Sequence, residues 1–239
     1  FYSSVTDYAF TVMVTLRSSQ LVHDPFIYPQ WGNNVTVLFT YKDVISNSST
    51  GLTGTLTIGP GLDGWYSVTF LGTGQWAVEL NTTAFASDGL YSVNASVVYT
   101  GPNYVSNAYD VFGLTVIKRL TQLGYNLPDP AAYLTTVTFT VIYSDDSTGV
   151  GISGATMNVT CATSNTSLVL NSNYWASYIG HGEYRIEVST VALGSVAAFV
   201  LPVTAWRAGA PFYESGFVLV NVRVEQRPTQ IVLIQTPGE

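Results

Sequence analysis

The sequence contains the same module twice, and this duplication limits the possible folds more than any other feature. VTVLFTY at 35–41 is matched by VTFTVIY at 137–143, a separation of 102 residues, and GTGQWAVEL at 72–80 is matched by GHGEYRIEV at 180–188. Both members of the first pair are followed two residues later by an aspartate, Asp43 in one module and Asp145 in the other. Because the matches keep one order over roughly a hundred residues, a duplicated domain is the simplest explanation.

Apolar and polar residues alternate within each module, which is typical of half-buried strands. Val35, Val37 and Phe39 show the pattern in the first module, and the alternate valines of 218–224 show it in the second. Only the segments near 82–85 and 190–193 could form short helical turns. We therefore predict an all-β chain of two tandem immunoglobulin-like antiparallel β-sandwiches. Since Cys161 is the sole cysteine, tyrosine and tryptophan are expected to fill the core instead of a disulfide.

A segment at the N-terminus has no module of its own in this scheme. YAFTVMVTLRSSQL at 8–21 aligns with VFGLTVIKRLTQL at 111–123 and VLVNVRVEQRPTQI at 218–231 when Arg17, Arg119 and Arg227 are superimposed. We interpret all three as copies of a closing strand. The predicted domains are an unpaired N-terminal strand at 1–21, a first sandwich at 22–124 and a second sandwich at 125–239.

The apolar face of this N-terminal strand must be buried somewhere, and two interpretations are open. In the first, the strand inserts into a neighbouring subunit and builds a head-to-tail filament. In the second, the chain belongs to a longer tandem array of spacer modules, since RPTQIVLIQTPGE resembles the start of another module. We favour the first, with the chain itself as partner. The predicted interface residues are Tyr8, Phe10, Val12, Val14 and Leu16.

The composition excludes some classes of function and points outside the cell. Charged residues make up only 10% of the chain and the formal net charge is -7, so no basic surface for nucleic acid is expected. The longest apolar run, 191–206, is too short to span a membrane and contains Pro202. The absence of an initiator methionine and of a signal-like segment fits a processed or cut secreted protein. N-glycosylation acceptors with attached glycans are predicted at Asn34, Asn47, Asn81, Asn94, Asn158 and Asn165.

One known family is similar in pattern. VTFTVIYSDDSTGVGISGA, then GHGEYRIEV, then a closing strand resembles the immunoglobulin-like modules of archaeal S-layer and other extracellular surface proteins, over about residues 22–231. The low charge, abundant tyrosine and threonine and the many acceptor sites are also similar to glycosylated surface proteins of thermoacidophilic archaea. The resemblance implies an extracellular structural role at the cell surface, and it carries over no functional residues.

The residues that could support catalysis or metal binding do not form a recognisable site. His23 and His181 stand at non-equivalent places and are expected to be surface or turn residues. Asp145 and Asp146 are adjacent on a strand end and must point in different directions, so an aspartate that starts a turn is the simpler interpretation of both Asp43 and Asp145. We predict no enzyme, no metal and no cofactor.

Two further possibilities carry less weight. An intramolecular isopeptide bond would need a buried lysine, but Lys42 and Lys118 have no counterpart in the second module, and Glu79 and Glu187 occupy matched positions that favour a shared structural role. A carbohydrate-binding platform could be built from aromatic residues of the first module, although such residues are more often part of the core of a β-sandwich. The candidates for this platform are Trp65, Tyr66, Trp76, Tyr91 and Tyr99.

Overall fold

The chain folds into two compact units, and the division falls between Ile117 and Lys118. The structure is a computed structural model, and it describes residues 17–25, 28–49, 52–100, 106–163 and 166–229. Regular structure in both units is almost entirely β-strand. Each unit has a separate hydrophobic core, as expected for a duplicated domain.

The described part of the first unit has its strands in two antiparallel sheets. One sheet has the order β1-β2-β5-β4 and the other β3-β6-β7. This is the strand order of an immunoglobulin domain of the constant type, with strands A, B, E and D in one sheet and C, F and G in the other. The strands are β1 (Ser19–His23), β2 (Asn34–Asp43), β3 (Gly54–Ile58), β4 (Tyr66–Gly72), β5 (Gln75–Asn81), β6 (Gly89–Tyr99) and β7 (Ala108–Val116).

The second unit repeats this arrangement and adds two short strands. Its sheets have the orders β13-β14-β10-β8 and β12-β11-β15-β16-β9. All pairs are antiparallel except β9 with β16, and the first unit has a matching parallel bridge between Gln30 and Ile117. The strands are β8 (Thr121–Tyr125), β9 (Ala131–Ala132), β10 (Thr136–Asp145), β11 (Thr156–Cys161), β12 (Thr166–Ser167), β13 (Tyr174–Gly180), β14 (Glu183–Ser189), β15 (Ala198–Trp206) and β16 (Gly216–Glu225). The predicted all-β immunoglobulin-like fold is confirmed.

Aromatic side chains fill the space between the sheets, as the sequence predicts. Trp76 and Tyr41 are fully buried in the first unit. Tyr143, the counterpart of Tyr41, is fully buried in the second. Cys161 is buried among apolar neighbours and forms no disulfide. Tyr91, near the start of β6, donates its hydroxyl proton to the carbonyl of Ser87 at 2.9 Å, a corner found in many immunoglobulin-like domains.

Short helical turns lie where they are expected, at Thr82–Ala84 (a 3₁₀ turn) and α1 (Thr190–Leu193). A buried threonine begins each turn. The Thr190 hydroxyl donates to the carbonyl of Thr135 at 2.8 Å, and the Thr82 hydroxyl donates to the carbonyl of Asn33 at 2.8 Å. Each threonine therefore ties the helical turn to the loop that precedes β2 or β10.

The boundary between the units differs from the predicted one. Residues 19–23 and 121–125 are opening strands, because β1 pairs with β2 and β8 pairs with β10. The predicted closing strand at 111–123 is thus two strands, one ending at Val116 and the other beginning at Thr121. Sequence alternation did not reveal the break because the short connection between them contains neither glycine nor proline. The N-terminal domain at 1–21 likewise extends too far, since Ser19 already belongs to the first sandwich.

Candidate functional site: a duplicated lock and the outward faces of the sheets

A buried ion pair fixes the opening strand of the second unit. Arg119 Nε lies 2.5 Å from Asp145 Oδ2, and both side chains are largely buried. The other oxygen of Asp145 accepts hydrogen bonds from the amides of Ser147 and Thr148, at 3.0 and 3.1 Å. One carboxylate therefore both starts the turn after β10 and holds the arginine that precedes β8.

The first unit contains a similar arrangement 102 residues earlier, but there the arginine forms only an ion pair, and Asp43 Oδ2 accepts no hydrogen bond from the described residues. Arg17 Nε lies 2.8 Å from Asp43 Oδ2, and Asp43 Oδ1 accepts from the amides of Ile45 and Ser46 at 3.0 and 2.8 Å. The arginine differs in its exposure, since the Arg17 side chain is 49% exposed and that of Arg119 only 14%. The prediction that both aspartates start turns is confirmed, and the ion pairs were not predicted.

A buried tyrosine completes this arrangement in both units. The Tyr143 hydroxyl donates to the carbonyl of Glu214, whose amide donates to the carbonyl of Arg119 at 3.0 Å. In the first unit the Tyr41 hydroxyl donates to the carbonyl of Ser106. We call the arginine, aspartate and tyrosine of each unit the lock. Each lock joins the opening strand to the segment before the closing strand.

The electrostatics of the lock suit a permanent ion pair. Burial by itself raises the pKa of Asp145, but the hydrogen bonds from Arg119, Ser147 and Thr148 outweigh it and hold that pKa far below its ordinary value. The bond to Asp145 in turn raises the pKa of Arg119. Burial also raises the pKa of the Tyr143 hydroxyl. These pKa shifts favour the charged carboxylate and guanidinium and the neutral hydroxyl, as a structural ion pair requires.

The two histidines have different environments. His23 was expected at the surface or in a turn, but it is half-buried on β1, with Nδ1 2.6 Å from Asp110 Oδ2 on β7 and its ring 5.5 Å from that of Phe112. Tyr125 and Val218 stand at the corresponding positions of the second unit, so this contact belongs to the first unit. His181 is exposed in a hairpin turn, where it was predicted.

The other acidic residues that the sequence singled out have polar partners within their own units. Glu79 accepts a hydrogen bond from Asn34 Nδ2 at 2.9 Å, and Glu187 pairs with Arg185 at 3.0 Å. Asp146 points away from Asp145 and accepts from Gln122. Among the residues that the structure describes, no group of three histidine, cysteine or acidic side chains could hold a metal ion.

Of the predicted aromatic platform, only Trp65 and Tyr66 line a common surface. Trp76 is buried in the core, and three of the other candidates pack against the edge of that core. Trp65 alone is well exposed, and it lines a small open cleft with Asn34, Glu79 and Asn81. The structure thus places most of these residues in the core, in agreement with the simpler interpretation.

Both units expose large apolar side chains on the outward face of the sheet that holds the closing strand. Tyr109 and Val111 of β7 are 81% and 52% exposed, and Phe217 and Leu219, at the same positions of β16, are 61% and 48% exposed. We call the outward positions of β3, β6 and β7 in the first unit, and of β11, β15 and β16 in the second, the closing face. The alternation of these strands was recognised in the sequence, but the apolar character of both faces was not.

The predicted glycosylation acceptors occupy several kinds of position. Asn34, Asn94 and Asn158 lie on strands with exposed side chains, and Asn47 lies in a turn. Asn81 is half-buried, and its Oδ1 accepts from the amide of Thr83 at 3.0 Å. Asn165 and the predicted interface residues Tyr8, Phe10, Val12, Val14 and Leu16 lie outside the described residues.

Comparison with known proteins gives structural likenesses only. No protein-family model matches the sequence, and a search of curated proteins finds no match. The adhesin InvE of Yersinia pseudotuberculosis is 20% identical over 86% of this chain and 58% of its own, with a TM-score of 0.37. A set of titin domains is 9% identical over 89% of this chain and 66% of its own, at 0.46. Domains 4 and 5 of the S-layer protein SbsC are 17% identical over 55% of this chain and 65% of their own, at 0.30.

The chain thus spans less than two thirds of the length of each of these three structures. At these TM-scores the fold class rests on the strand order of the two units. None of the described helices is long and apolar enough to cross a membrane.

Proposed function

We propose that the chain is a structural subunit of an extracellular, glycosylated surface filament, in which residues 1–16 join each subunit head-to-tail to the next. One observation carries this proposal. In the described residues both sandwiches already have an opening strand and a closing strand in place. The apolar segment 8–16 aligns with the closing strand β7, a position that each unit already fills, so in the filament it would pair with an open sheet edge of a neighbouring subunit.

The composition and the locks support a structural role. The sequence is rich in hydroxyl and amide groups and poor in charges, and several acceptor asparagines are exposed on strands. This combination suits a glycosylated protein outside the cell. The best-organised polar sites, the two locks, hold each sandwich together and leave no side chain poised to act on a substrate. We infer that the chain carries tension or acts as a spacer in the surface structure and is not a catalyst.

A tandem array is the second candidate, and a specific observation favours it. Arg227 follows β16 as Arg119 follows β7, and Arg119 opens a sandwich through its lock. Gln230 and Ile231 repeat the pattern of Gln122 and Leu123. A further module after Arg227 would place the chain within an S-layer or adhesin array, where the units serve as spacers and the exposed Trp65 could contact sugars.

Truncation at the N-terminus tests the filament. The deletion should stop at residue 16, because Arg17 and β1 belong to the first sandwich. We expect the intact chain to form polymers that are visible by negative-stain microscopy and that resist dissociation, and the truncated chain to be monomeric with an unchanged melting temperature. A matched control replaces Thr11 and Thr15 by serine, which leaves the apolar face unaltered and should still polymerise.

Replacement of Phe10, Val12 and Val14 by serine should abolish assembly as deletion does. Monomers of the intact chain at all concentrations would refute the filament and leave the tandem array. Polymers formed equally well by the truncated chain would show that another surface assembles the subunits.

A further inference from the structure

The closing faces of both units lack the charges that normally keep a protein surface in water. In the first unit the outward positions of β3, β6 and β7 hold threonine, serine, asparagine, glycine and apolar residues, with no charged side chain. In the second unit Arg223 and Glu225 lie only at the far end of β16. An exposed sheet face with several large apolar side chains is usually covered by something.

An acceptor asparagine lies within the closing face of the first unit. Asn94 of β6 is exposed and is the direct cross-strand partner of Val111 on β7. Directly opposed residues of an antiparallel pair point to the same side, with their Cβ atoms about 5 Å apart. Tyr109 is the diagonal neighbour of Asn94, so a group attached to the Asn94 amide lies against both apolar side chains.

The second unit places its acceptor one strand further from the closing strand, next to a larger aromatic residue. Asn158 of β11 is the partner of Thr204 on β15, and Thr204 is the partner of Phe217 on β16. Trp206, which is 41% exposed, is the diagonal neighbour of Asn158. The acceptor position is not repeated between the modules, yet each acceptor is adjacent to the apolar residues of its own closing face.

The opposite sheet of the second unit differs in its charge. The outward face of β14 carries Glu183, Arg185 and Glu187, which provide ordinary charged solvation. Trp175 of β13 lies on that face, is 39% exposed and has Glu187 as its cross-strand partner. No acceptor sequence adjoins it in the register of this sheet.

We propose that N-linked glycans at Asn94 and Asn158 lie along the closing faces and cover their apolar side chains. The occupant is a glycan of the chain itself, whose sugar rings stack with their C–H faces on the aromatic rings while their hydroxyls face water. This inference rests on the proposed extracellular location and assigns a function to two particular acceptors. It also accounts for a closing face that, in the first unit, carries no charged side chain among the described residues.

Oxidative footprinting with a matched pair of tryptophans tests the proposal. The chain is secreted from N-glycosylating yeast cells, glycan occupancy is measured by glycopeptide mass spectrometry, and hydroxyl-radical oxidation of Trp206 and Trp175 is compared. With Asn158 occupied, oxidation of Trp206 should fall by about half, since a sugar stacked on the indole covers one of its two faces. Trp175, which has almost the same exposed fraction and no adjacent acceptor, should be unaffected.

Two variants isolate the effect of the glycan. Asn158→Gln and Thr160→Ala both remove the acceptor sequence, by different chemistry, and both should restore oxidation of Trp206 to the level of Trp175. Removal of both acceptors by Asn94→Gln and Asn158→Gln should also increase binding of a hydrophobic dye relative to the glycosylated wild type.

The outcomes separate the two proposals. Occupancy at Asn34 or Asn47 with none at Asn94 and Asn158 overturns this inference and leaves a glycosylated surface protein. An occupied Asn158 with unchanged Trp206 oxidation also overturns it. Absence of glycan at every acceptor refutes both this inference and the glycosylation in the proposed function. Protection of Trp206 that depends on protein concentration would indicate self-association through the closing face. In that case a second copy of the chain, and not a glycan, covers the face.

Discussion

Replacement of Asp145 by asparagine separates the charge of the lock from its shape. The remaining Oδ1 can still accept from the amides of Ser147 and Thr148, so the turn after β10 keeps its hydrogen bonds. The guanidinium of Arg119 loses its counter-ion in a position where its side chain is only 14% exposed. Because a charge-assisted hydrogen bond is lost and a mostly buried cation loses its carboxylate counter-ion, we expect Asp145→Asn to lower the free energy of unfolding of the second unit by about 3 kcal/mol.

The lock of the first unit provides the control. Asp43→Asn removes the charge beside Arg17, whose side chain is half exposed and donates no hydrogen bond to Asp43 Oδ2, so water can solvate the cation after the charge is removed. The loss should therefore be clearly smaller. Urea titrations followed by hydrogen exchange and peptide mass spectrometry report on each unit separately. Equal losses in the two variants, or a loss below about 1 kcal/mol for Asp145→Asn, would refute the assignment of the stability to a buried charge pair.

The pH dependence of Asp145→Asn gives an independent signature. A carboxylate with a depressed pKa in the folded state contributes stability that is present above its unfolded pKa, about 3.9, and is lost as the pH falls through its folded value. The folded pKa of Asp145 lies far below its ordinary value. We therefore expect the difference in stability between wild type and variant to be constant from pH 7 to about pH 5 and to shrink below about pH 4. A difference that shrinks already near pH 6 would contradict this account.

Two further predictions concern the second unit. Gly151→Ala should destabilise it by about 2 kcal/mol or more, because the new Cβ would lie 2.1 Å from the carbonyl oxygen of His181, whereas Gly124→Ala, with nothing within 4 Å, should change stability by less than about 1 kcal/mol. Thr190→Val keeps the shape of a buried side chain and loses its hydrogen bonds to the loop before β10, so a loss of about 1 kcal/mol is expected, with no measurable loss for the exposed Thr138→Val. Thermal unfolding compares the members of each pair, and equal melting temperatures within either pair would contradict the corresponding explanation.

Most of the fold could be predicted because period-two alternation and duplication are local or directly comparable features of the sequence. The boundary between the units could not, because the alternation of β7 resumes in β8 after a connection without a turn residue. The result was an interpretation of residues 17–21 as part of a closing strand, although they open a sandwich. The segment 8–16 keeps its resemblance to β7, and only this part remains a candidate for insertion into a neighbour.

The locks were detectable in principle. Arg17 and Arg119 share the same 102-residue separation as Asp43 and Asp145, and two opposite charges repeated in one register are a signal of pairing. The contact between His23 and Asp110 had no such signal, because it occurs in one unit and joins residues 87 positions apart. Such a contact depends on how the two sheets face each other, which the alternation within a strand does not determine.

The parallel contacts at the edge of each unit have a mechanical consequence. Gln30 and Ile117 bridge in parallel in the first unit, and β9 runs parallel to β16 in the second. When a unit is pulled by its two ends, the early segment and the closing strand are drawn in opposite directions along their length. The bonds between them are then loaded together in shear and cannot open one after another. A chain of such units would transmit tension with each sandwich intact until a whole group of bonds ruptured at once.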